Sequence, residues 1–201
     1  NFYPLRKVKA TNLKSRSIGL GVMGEAEMLA DYKLVWGSND HFKKIDQIME
    51  AISYNVIKSS SDLAIEKGIY PTFEGSKWSQ GIMPHDHAPQ AVNALVDKDL
   101  FDTSYDWDVL REKVKKDGMR NGYLMAVAPT SSISILVGTT QAIEPVYKRK
   151  WFEENLSGLI PVVVPKLSPE TWNYYTPAFE IDQLLVIKAA KKKKKWIDQG
   201  Q

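Results

Sequence analysis

The sequence predicts an α/β fold, in which helices alternate with short buried strands. Two segments carry apolar residues at helical spacing, and two short apolar runs follow them along the chain. Alternation of helical and extended segments favours parallel pairing of the strands. The composition is that of a folded protein, since 43% of the 201 residues are hydrophobic and 25% are charged. A chain of this length can bury roughly 70% of its unfolded surface in a core.

The first predicted helix follows Ser38 to Asp40, which offer an N-cap, and stops at Gly68. Its apolar stripe, with intervals of three, four and seven residues, consists of Phe42, Ile45, Met49, Ile52, Val56 and Leu63. The second helix has Ser104 or Asp106 as its cap and Gly118 as its terminator. Its apolar face consists of Trp107, Leu110 and Val114.

Two later segments predict strands. The first, from Tyr123 to Ala128, is a short apolar run suited to a buried strand, and it ends at Pro129. The second is a β-branched run from Leu159 to Val164. A last helix is predicted from Asp182 to Ile197, and the stretch from Gly81 to Pro89 reads as a loop.

The chain contains no cysteine. This excludes a disulfide framework, a thiolate zinc site, a CxxC redox pair and a cysteine nucleophile within these residues. No run approaches the ~20 apolar residues that a membrane span needs, and the start of the chain lacks a signal-peptide layout. We therefore expect a soluble protein, or part of one, with no membrane partner.

The net charge of +3 depends on one segment, the five lysines from Lys191 to Lys195. Without them 22 basic residues face 24 acidic ones, so the remaining net charge is −2. A short lysine run near a helix C-terminus is favoured by the helix dipole and is usually a solvated face. We therefore expect no nucleic-acid partner.

Three motifs suggest chemistry only weakly. Gly19, Gly21 and Gly24 have the GxGxxG spacing of a dinucleotide site, but a polar, basic segment stands where that site needs a buried strand. A turn or close packing is the simpler use of these glycines. His85 and His87 have an HxH spacing without a third ligand, which indicates a polar surface loop and no metal site.

The aromatic residues Trp172, Tyr174 and Tyr175 could suggest stacking or electron transfer. Such a cluster more often packs at the edge of a core or in a lid. We expect that structural use here.

The turn from Pro129 to Ser134 is the better candidate site. Its residues after the predicted strand are Pro129, Thr130, Ser131, Ser132, Ile133 and Ser134. Successive backbone N–H groups and up to four hydroxyls would converge there, and such a cluster favours an anion. Turns of this composition also cap helices without any ligand. The residues alone therefore leave open a phosphate site and a helix cap.

Longer motifs resemble the large subunit of class I ribonucleotide reductase along essentially the whole chain. The signature-like segment begins at Trp107 and Leu110, continues through Gly118-Met119-Arg120-Asn121 and Met125-Ala126, and ends at Pro129. The other similar segments, in order, are Arg16 to Gly24, Ala128 to Ser134, Ile143-Glu144-Pro145, Asn155-Leu156-Ser157-Gly158 and Trp196-Ile197-Asp198-Gln199.

The resemblance implies part of a ten-stranded α/β barrel, incomplete in this chain, with residues 1–201 as a partial barrel domain. It implies reduction of ribonucleoside diphosphates to 2′-deoxyribonucleoside diphosphates, for DNA synthesis, by thiyl-radical chemistry in the cytoplasm. The turn would hold the substrate diphosphate through Pro129, Thr130, Ser131, Ser132, Ile133 and Ser134, where Ile133 contributes only its N–H group. No catalytic residue and no directly bound cofactor is expected in this segment.

The resemblance also implies partners. These are the remainder of the large subunit, a second large subunit in a dimer, a small subunit with a metal-linked radical, and a thioredoxin- or glutaredoxin-type reductant. ATP and deoxynucleoside triphosphates would act as effectors. The catalytic cysteines and their glutamate, the effector loops and the regulatory domain would precede Asn1, and further strands with a radical-relay tyrosine pair would follow.

Tyr174 and Tyr175 are not matched to that relay pair, because they lie upstream of the Trp196 motif. Two alternatives stay open. One is a non-catalytic assembly piece of a split or decayed subunit, and the other is a separate nucleotide-binding enzyme built on Gly19, Gly21 and Gly24.

Overall fold

A computed structural model describes residues 2–87, 103, 105–156 and 158–199, without the side chains of His87 and Asn155. Both helices and strands are present, as predicted. The helices are α1 (Arg6–Ser15), α2 (Glu25–Asp31), α3 (Asn39–Lys67), α4 (Trp107–Asp117), α5 (Ser131–Val137) and α6 (Gln183–Lys194). The strands are β1 (Lys150–Asn155) and β2 (Gly158–Val163). Within the described part of the chain, no helix is long and apolar enough to cross a membrane.

Helices α3 and α4 confirm the two predicted amphipathic helices. Gly68 follows α3 with a φ of 83°, a left-handed conformation that favours glycine. The Asp106 side chain caps α4 by accepting a hydrogen bond from the Val109 N–H at 3.0 Å. The alternative cap, Ser104, lies outside the described residues, as does Pro89 at the end of the predicted loop.

The buried stripe of α3 is wider than the apolar pattern predicts. Ile45 and Met49 are buried, whereas Phe42, Ile52 and Val56 are only partly buried. The other buried positions of the helix are His41, Glu50, Ser53, Ile57, Ser60, Ser61 and Ala64. Small polar side chains thus share the core-facing stripe, and hydrophobicity alone does not identify them.

The chain folds into two compact units. The first comprises Asn1–Leu20, Asp46–Ala126 and Lys193–Gln201. In this unit, an extended segment at residues 124–126 pairs in parallel with Leu20. The Leu20 N–H donates to the Leu124 carbonyl at 2.8 Å, and the Ala126 N–H donates to the Leu20 carbonyl at 3.0 Å. The predicted strand at residues 123–128 is therefore an extended segment with an isolated parallel bridge.

The other edge of this extended segment also has partners. The Asp198 carboxylate accepts hydrogen bonds from the N–H groups of Leu124 and Met125, both at 2.7 Å. The Gln199 N–H donates to the Met125 carbonyl at 3.3 Å. The extended segment is thus hydrogen-bonded along both edges, and the side chains of Leu124 and Met125 are buried.

The second unit comprises Gly21–Ile45 and Val127–Lys192. One apolar cluster joins α2 to the strand region through Ala26, Ala30, Val146, Val164 and Tyr175. Another contains Leu29, Trp36, Ile45, Ile181 and Ala189. Both faces of α2 are therefore covered within this unit.

The expected parallel pairing is wrong for the strand at Leu159 to Val164. Strand β2 pairs antiparallel with β1, with Lys150 opposite Val163 and Asn155 opposite Gly158. Only residues 156 and 157 separate the strands, and a connection this short permits only an antiparallel hairpin. Most of β2 is also exposed, so it is not the buried strand that its apolar sequence suggests.

The last predicted helix is confirmed in a shorter form. Helix α6 ends at Lys194, whereas the sequence suggests Ile197. Trp196 and Ile197 lie beyond the helix and are buried at 3% exposure each. Trp196 and Ile197, the last apolar residues of the predicted helix, therefore pack in the core after the helix has ended.

Candidate phosphate-binding site

The hydroxyl-rich turn forms the start of a helix. Pro129 is exposed, Thr130 is the N-cap residue, and α5 begins at Ser131. Thr130 adopts a left-handed conformation, with a φ of 52°, and makes no side-chain capping bond to the helix. A β-branched residue rarely adopts this conformation, so the surrounding bonds must hold it there.

One of these bonds comes from beyond the far end of α5. The Thr130 hydroxyl accepts a hydrogen bond from the Ala142 N–H at 2.9 Å. Ala142 is itself left-handed, with a φ of 39°. Because the hydroxyl oxygen accepts this bond, its own proton remains available to a ligand oxygen.

The first turn of α5 presents further donors. The N–H groups of Ser131, Ser132 and Ile133 precede the first intrahelical bond, which the Ser134 N–H donates to Thr130 at 2.9 Å. No side chain of the described residues caps these groups. Ser131, Ser132 and Ile133 are all exposed. The arrangement can therefore donate several hydrogen bonds to one anion.

Ser134 differs from the other hydroxyl residues. It is fully buried, and its hydroxyl donates to the Ser131 carbonyl at 3.0 Å. Its structural contribution is therefore to stabilise the first turn of α5. The accessible hydroxyls in the turn belong to Thr130, Ser131 and Ser132.

Of the three glycines upstream, Gly19 serves close packing and Gly24 both a turn and close packing. Helix α1 precedes them, whereas a dinucleotide fold requires a strand there. Gly24 has a φ of 87°, and a Cβ atom at this position would lie 2.6 Å from Thr139 Oγ1. A Cβ atom at Gly19 would lie 3.3 Å from Ala126 Cβ. Both positions exclude a larger side chain without a shift of their neighbours.

His85 packs among aromatic rings in the first unit. Its ring centroid lies 4.4 Å from that of Trp107 and 5.6 Å from that of Trp196. Burial lowers the pKa of His85, although Asp86 acts in the opposite direction. His85 is therefore not the surface residue that its loop sequence suggests. In the described ranges, no three His, Asp or Glu side chains are grouped so as to hold a metal ion.

A cluster of carboxylates and indoles is not among the predicted features. The Trp107 Nε1–H donates to Glu50 at 2.9 Å, and the Trp196 Nε1–H donates to Asp46 at 2.6 Å. The two indoles stack, with centroids 5.5 Å apart. The available signal is the spacing of Asp46 and Glu50, four residues apart on the predicted helix, which places both on one face.

The lysine run is only partly a solvated face, so that prediction needs correction. Lys193 is 2% exposed, and the Lys195 side chain is 7% exposed. The Lys195 ammonium lies 2.8 Å from an Asp46 oxygen and 4.7 Å from the centroid of the Trp196 ring. The Asp46 carboxylate offsets the cost of burying this cation. Five identical lysines in a row give no sign in the sequence of which one has such a partner.

Tyr174 and Tyr175 have the structural role that the sequence predicts. Tyr175 is 1% exposed, and its hydroxyl donates to the Pro165 carbonyl at 2.7 Å. Burial raises the pKa of Tyr175 to about 12, and the nearby carboxylates of Glu27 and Asp31 act in the same direction. Tyr174 packs against the same apolar cluster.

Comparison with known proteins places the whole chain in one family. The family model described as "Ribonucleotide reductase, barrel domain" matches residues 1–201. The chain is 66% identical over 201 residues to "Ribonucleoside-diphosphate reductase subunit alpha" of Helicobacter pylori, and covers 26% of that protein. It is 40% identical over 200 residues to the protein of the same name from Treponema pallidum, and covers 22% of it.

A more distant relative extends this similarity. The chain is 29% identical over 232 residues to "Ribonucleoside-diphosphate reductase large subunit" of Danio rerio, and covers 28% of that protein. Each of these three matches extends over the full length of the chain, which spans about a quarter of each relative's length. The chain belongs to the ribonucleotide reductase family, and its residues correspond to part of the barrel domain of the large subunit.

Proposed function

We propose that this chain is a segment of a ribonucleotide reductase large subunit and that it holds the diphosphate of a ribonucleoside diphosphate substrate. The supporting observation is the start of α5, where three N–H groups and the Thr130 hydroxyl proton lack partners among the described residues. Such donors bind phosphate oxygens without a side-chain cation.

The proposed role is binding and orientation. The N–H groups of Ser131, Ser132 and Ile133 donate to the diphosphate, together with the hydroxyls of Thr130 and Ser132. Hydrogen bonds to a charged partner contribute about 1.5–3 kcal/mol each. They also place the ribose at a fixed distance from the reacting thiol, which another part of the subunit supplies, because this chain has no cysteine.

The proposal also includes the fold, partners, effectors and location that the resemblance implies for the whole protein. Residues 1–201 form a partial domain of the ten-stranded α/β barrel. The parallel bridge between Leu20 and Met125 is of the kind that this architecture contains. The rest of the large subunit, a second large subunit, the radical-generating small subunit and a thioredoxin- or glutaredoxin-type reductant act with it. ATP and deoxynucleoside triphosphates are its effectors, and the cytoplasm is its location.

Substitution at the turn tests this function in the intact large subunit. Thr130→Val and Ser132→Ala should each raise KM for the nucleoside diphosphate about tenfold to a hundredfold, because each removes a charge-assisted bond. Thr130→Ser, which keeps the hydroxyl, should retain most of the affinity. Ser59→Ala alters an exposed serine of α3 and is the matched control. An unchanged KM in both Thr130→Val and Ser132→Ala contradicts the assignment.

The alternative of a non-catalytic assembly piece has one observation in its favour, the absence of cysteine. Mixing the chain with a large subunit that lacks the corresponding residues distinguishes the substrate-binding role from the assembly role. Recovery of reductase activity supports the binding role. A folded complex that does not bind nucleoside diphosphates supports the assembly role.

A further inference from the structure

The Glu27 side chain connects α2 to the residues that follow α5. One carboxylate oxygen accepts a hydrogen bond from Thr139 Oγ1 at 2.5 Å. The other oxygen lies 3.0 Å from the Lys166 ammonium. The Glu27 N–H donates to Thr140 Oγ1 at 3.2 Å. Only 14% of the Glu27 side chain is exposed, whereas 58% of the Lys166 side chain is exposed. Solvent therefore screens the ion pair with Lys166, and the hydrogen bond to Thr139 is the more sheltered of the two contacts.

The same two threonines make a second contact with α2. The Gly24 N–H, just before the helix, donates to the Thr140 carbonyl at 2.9 Å. Thr139 Oγ1 occupies space that a side chain at residue 24 would need, since a Cβ atom there would lie 2.6 Å away. Residues 139 and 140 are therefore held to the first turn of α2 by both backbone and side-chain bonds.

Helix α5 has few other anchors. It is seven residues long and ends at Gly138, which has a φ of 80°. Its apolar side chains Ile133, Ile135, Leu136 and Val137 are 57%, 55%, 87% and 63% exposed. An isolated helix of this length is unstable in water, so tertiary bonds at its two ends must fix its position. Those bonds are Thr130 to Ala142 at the start and Thr139–Thr140 to α2 at the end.

We propose that Glu27 is a positioning residue for the phosphate-binding turn, acting through Thr139 and Thr140 on α5. This inference rests on the proposed function, because it assigns Glu27 to the same site. Glu27 does not touch the substrate. It fixes the end of α5, so that the N–H groups at the start of the helix are ordered before the diphosphate arrives. Ordering before binding reduces the entropy lost on association.

The Lys166 ammonium completes the arrangement. It lies 2.6 Å from Asp31 as well as 3.0 Å from Glu27. The hydrogen bonds from Lys166 to Asp31 and then to Glu27 raise the pKa of Lys166 above its usual value, so the cation persists at neutral pH. Asp31 shares this cation but makes no hydrogen bond to Thr139 among the described residues, which makes it a matched control for Glu27.

Amide hydrogen exchange of the intact large subunit without substrate tests the anchoring. Glu27→Ala and Thr139→Val should speed exchange of the amides at residues 134–138 about tenfold, because both remove the side-chain hydrogen bond from Thr139 to Glu27, one of the bonds that hold the end of α5. Thr139→Ser keeps the hydroxyl and should restore slow exchange. Asp31→Asn should leave exchange in α5 unchanged. Unaltered exchange in Glu27→Ala, or an equal effect of Asp31→Asn, overturns the inference.

Kinetics of the intact large subunit test the link to substrate. Glu27→Ala should raise KM for the nucleoside diphosphate several-fold with little change in kcat, and Thr139→Ser should behave as the parent. If Thr130→Val and Ser132→Ala raise KM but Glu27→Ala does not, the positioning role is overturned and the proposed function stands. If none of these variants changes KM, the proposed function fails, and the exchange experiment alone decides whether Glu27 anchors α5.

Discussion

At the scale of residues, buried polar groups account for the largest differences between the predicted and observed positions. Glu50 and Asp46 each accept an indole N–H, and the Lys195 ammonium neutralises Asp46. Buried charges need such partners, because loss of hydration costs several kcal/mol per ion. The partners come from segments far away in the sequence, so no local pattern reveals them.

Because burial lowers the pKa of His85, the free energy of unfolding should depend on pH. Its pKa in the folded chain lies below the ordinary value of 6.5, because burial disfavours the charged ring. As the pH falls below about 6.5, the unfolded chain takes up a proton that the folded chain does not, and the free energy of unfolding decreases. The contribution of this one group cannot exceed about 1.4 kcal/mol per pH unit.

Urea unfolding of the intact large subunit at about pH 7.5 and about pH 5.5 measures this effect. The free energy of unfolding that is lost when the pH is lowered should be smaller in His85→Phe, which keeps an aromatic ring, than in the parent protein. Burial raises the pKa of Asp198, which acts in the opposite sense, but this residue is present in both proteins and its contribution cancels. Equal losses in the two proteins contradict a depressed His85 pKa.

At the scale of elements, helices with local start and stop signals are predicted well. Asp106 and Gly118 bound α4 as the sequence indicates, and Gly68 ends α3. The turn at Pro129 to Ser134 is harder, because residues that form a hydroxyl-rich loop also begin a helix. Strand partners are harder still, since pairing depends on residues that are not adjacent in sequence.

The cap of α4 gives a test at this scale. Asp106→Ala should lower the free energy of unfolding by about 1 kcal/mol, because it leaves the Val109 N–H without its acceptor. Asp108→Ala, in the first turn of the same helix with a side chain 96% exposed, should cost less than about 0.5 kcal/mol. Denaturant unfolding of both variants, made in the intact large subunit, is the measurement. Equal losses contradict the capping role.

At the scale of the whole molecule, the chain carries surface that is unusual for an independent domain. In the hairpin, Phe152 is 67% exposed, Leu159 64% and Val163 49%. Hairpins with exposed apolar residues and open edges tend to pair with other chains. This feature agrees with the proposal that the chain is part of a larger barrel.

The isolated chain should therefore be inactive and prone to association. We expect no reduction of ribonucleoside diphosphates by purified 201-residue protein, because it has no thiol to form a thiyl radical. Turnover by this material would contradict the assignment. Gel filtration and circular dichroism should show aggregation or loose assembly. A stable monomer with a cooperative melt would instead favour an autonomous domain.

Local sequence patterns suffice for the family, the α/β class, the main helices and the location of the candidate turn. These depend on short-range spacing and on motifs that are continuous along the chain, such as Trp107 to Pro129. Packing sets which donors of the turn are accessible, buries Ser134, and brings Glu27 to Thr139, 112 residues away. Burial and long-range hydrogen bonds arise only when distant segments pack together, so no local sequence pattern contains them.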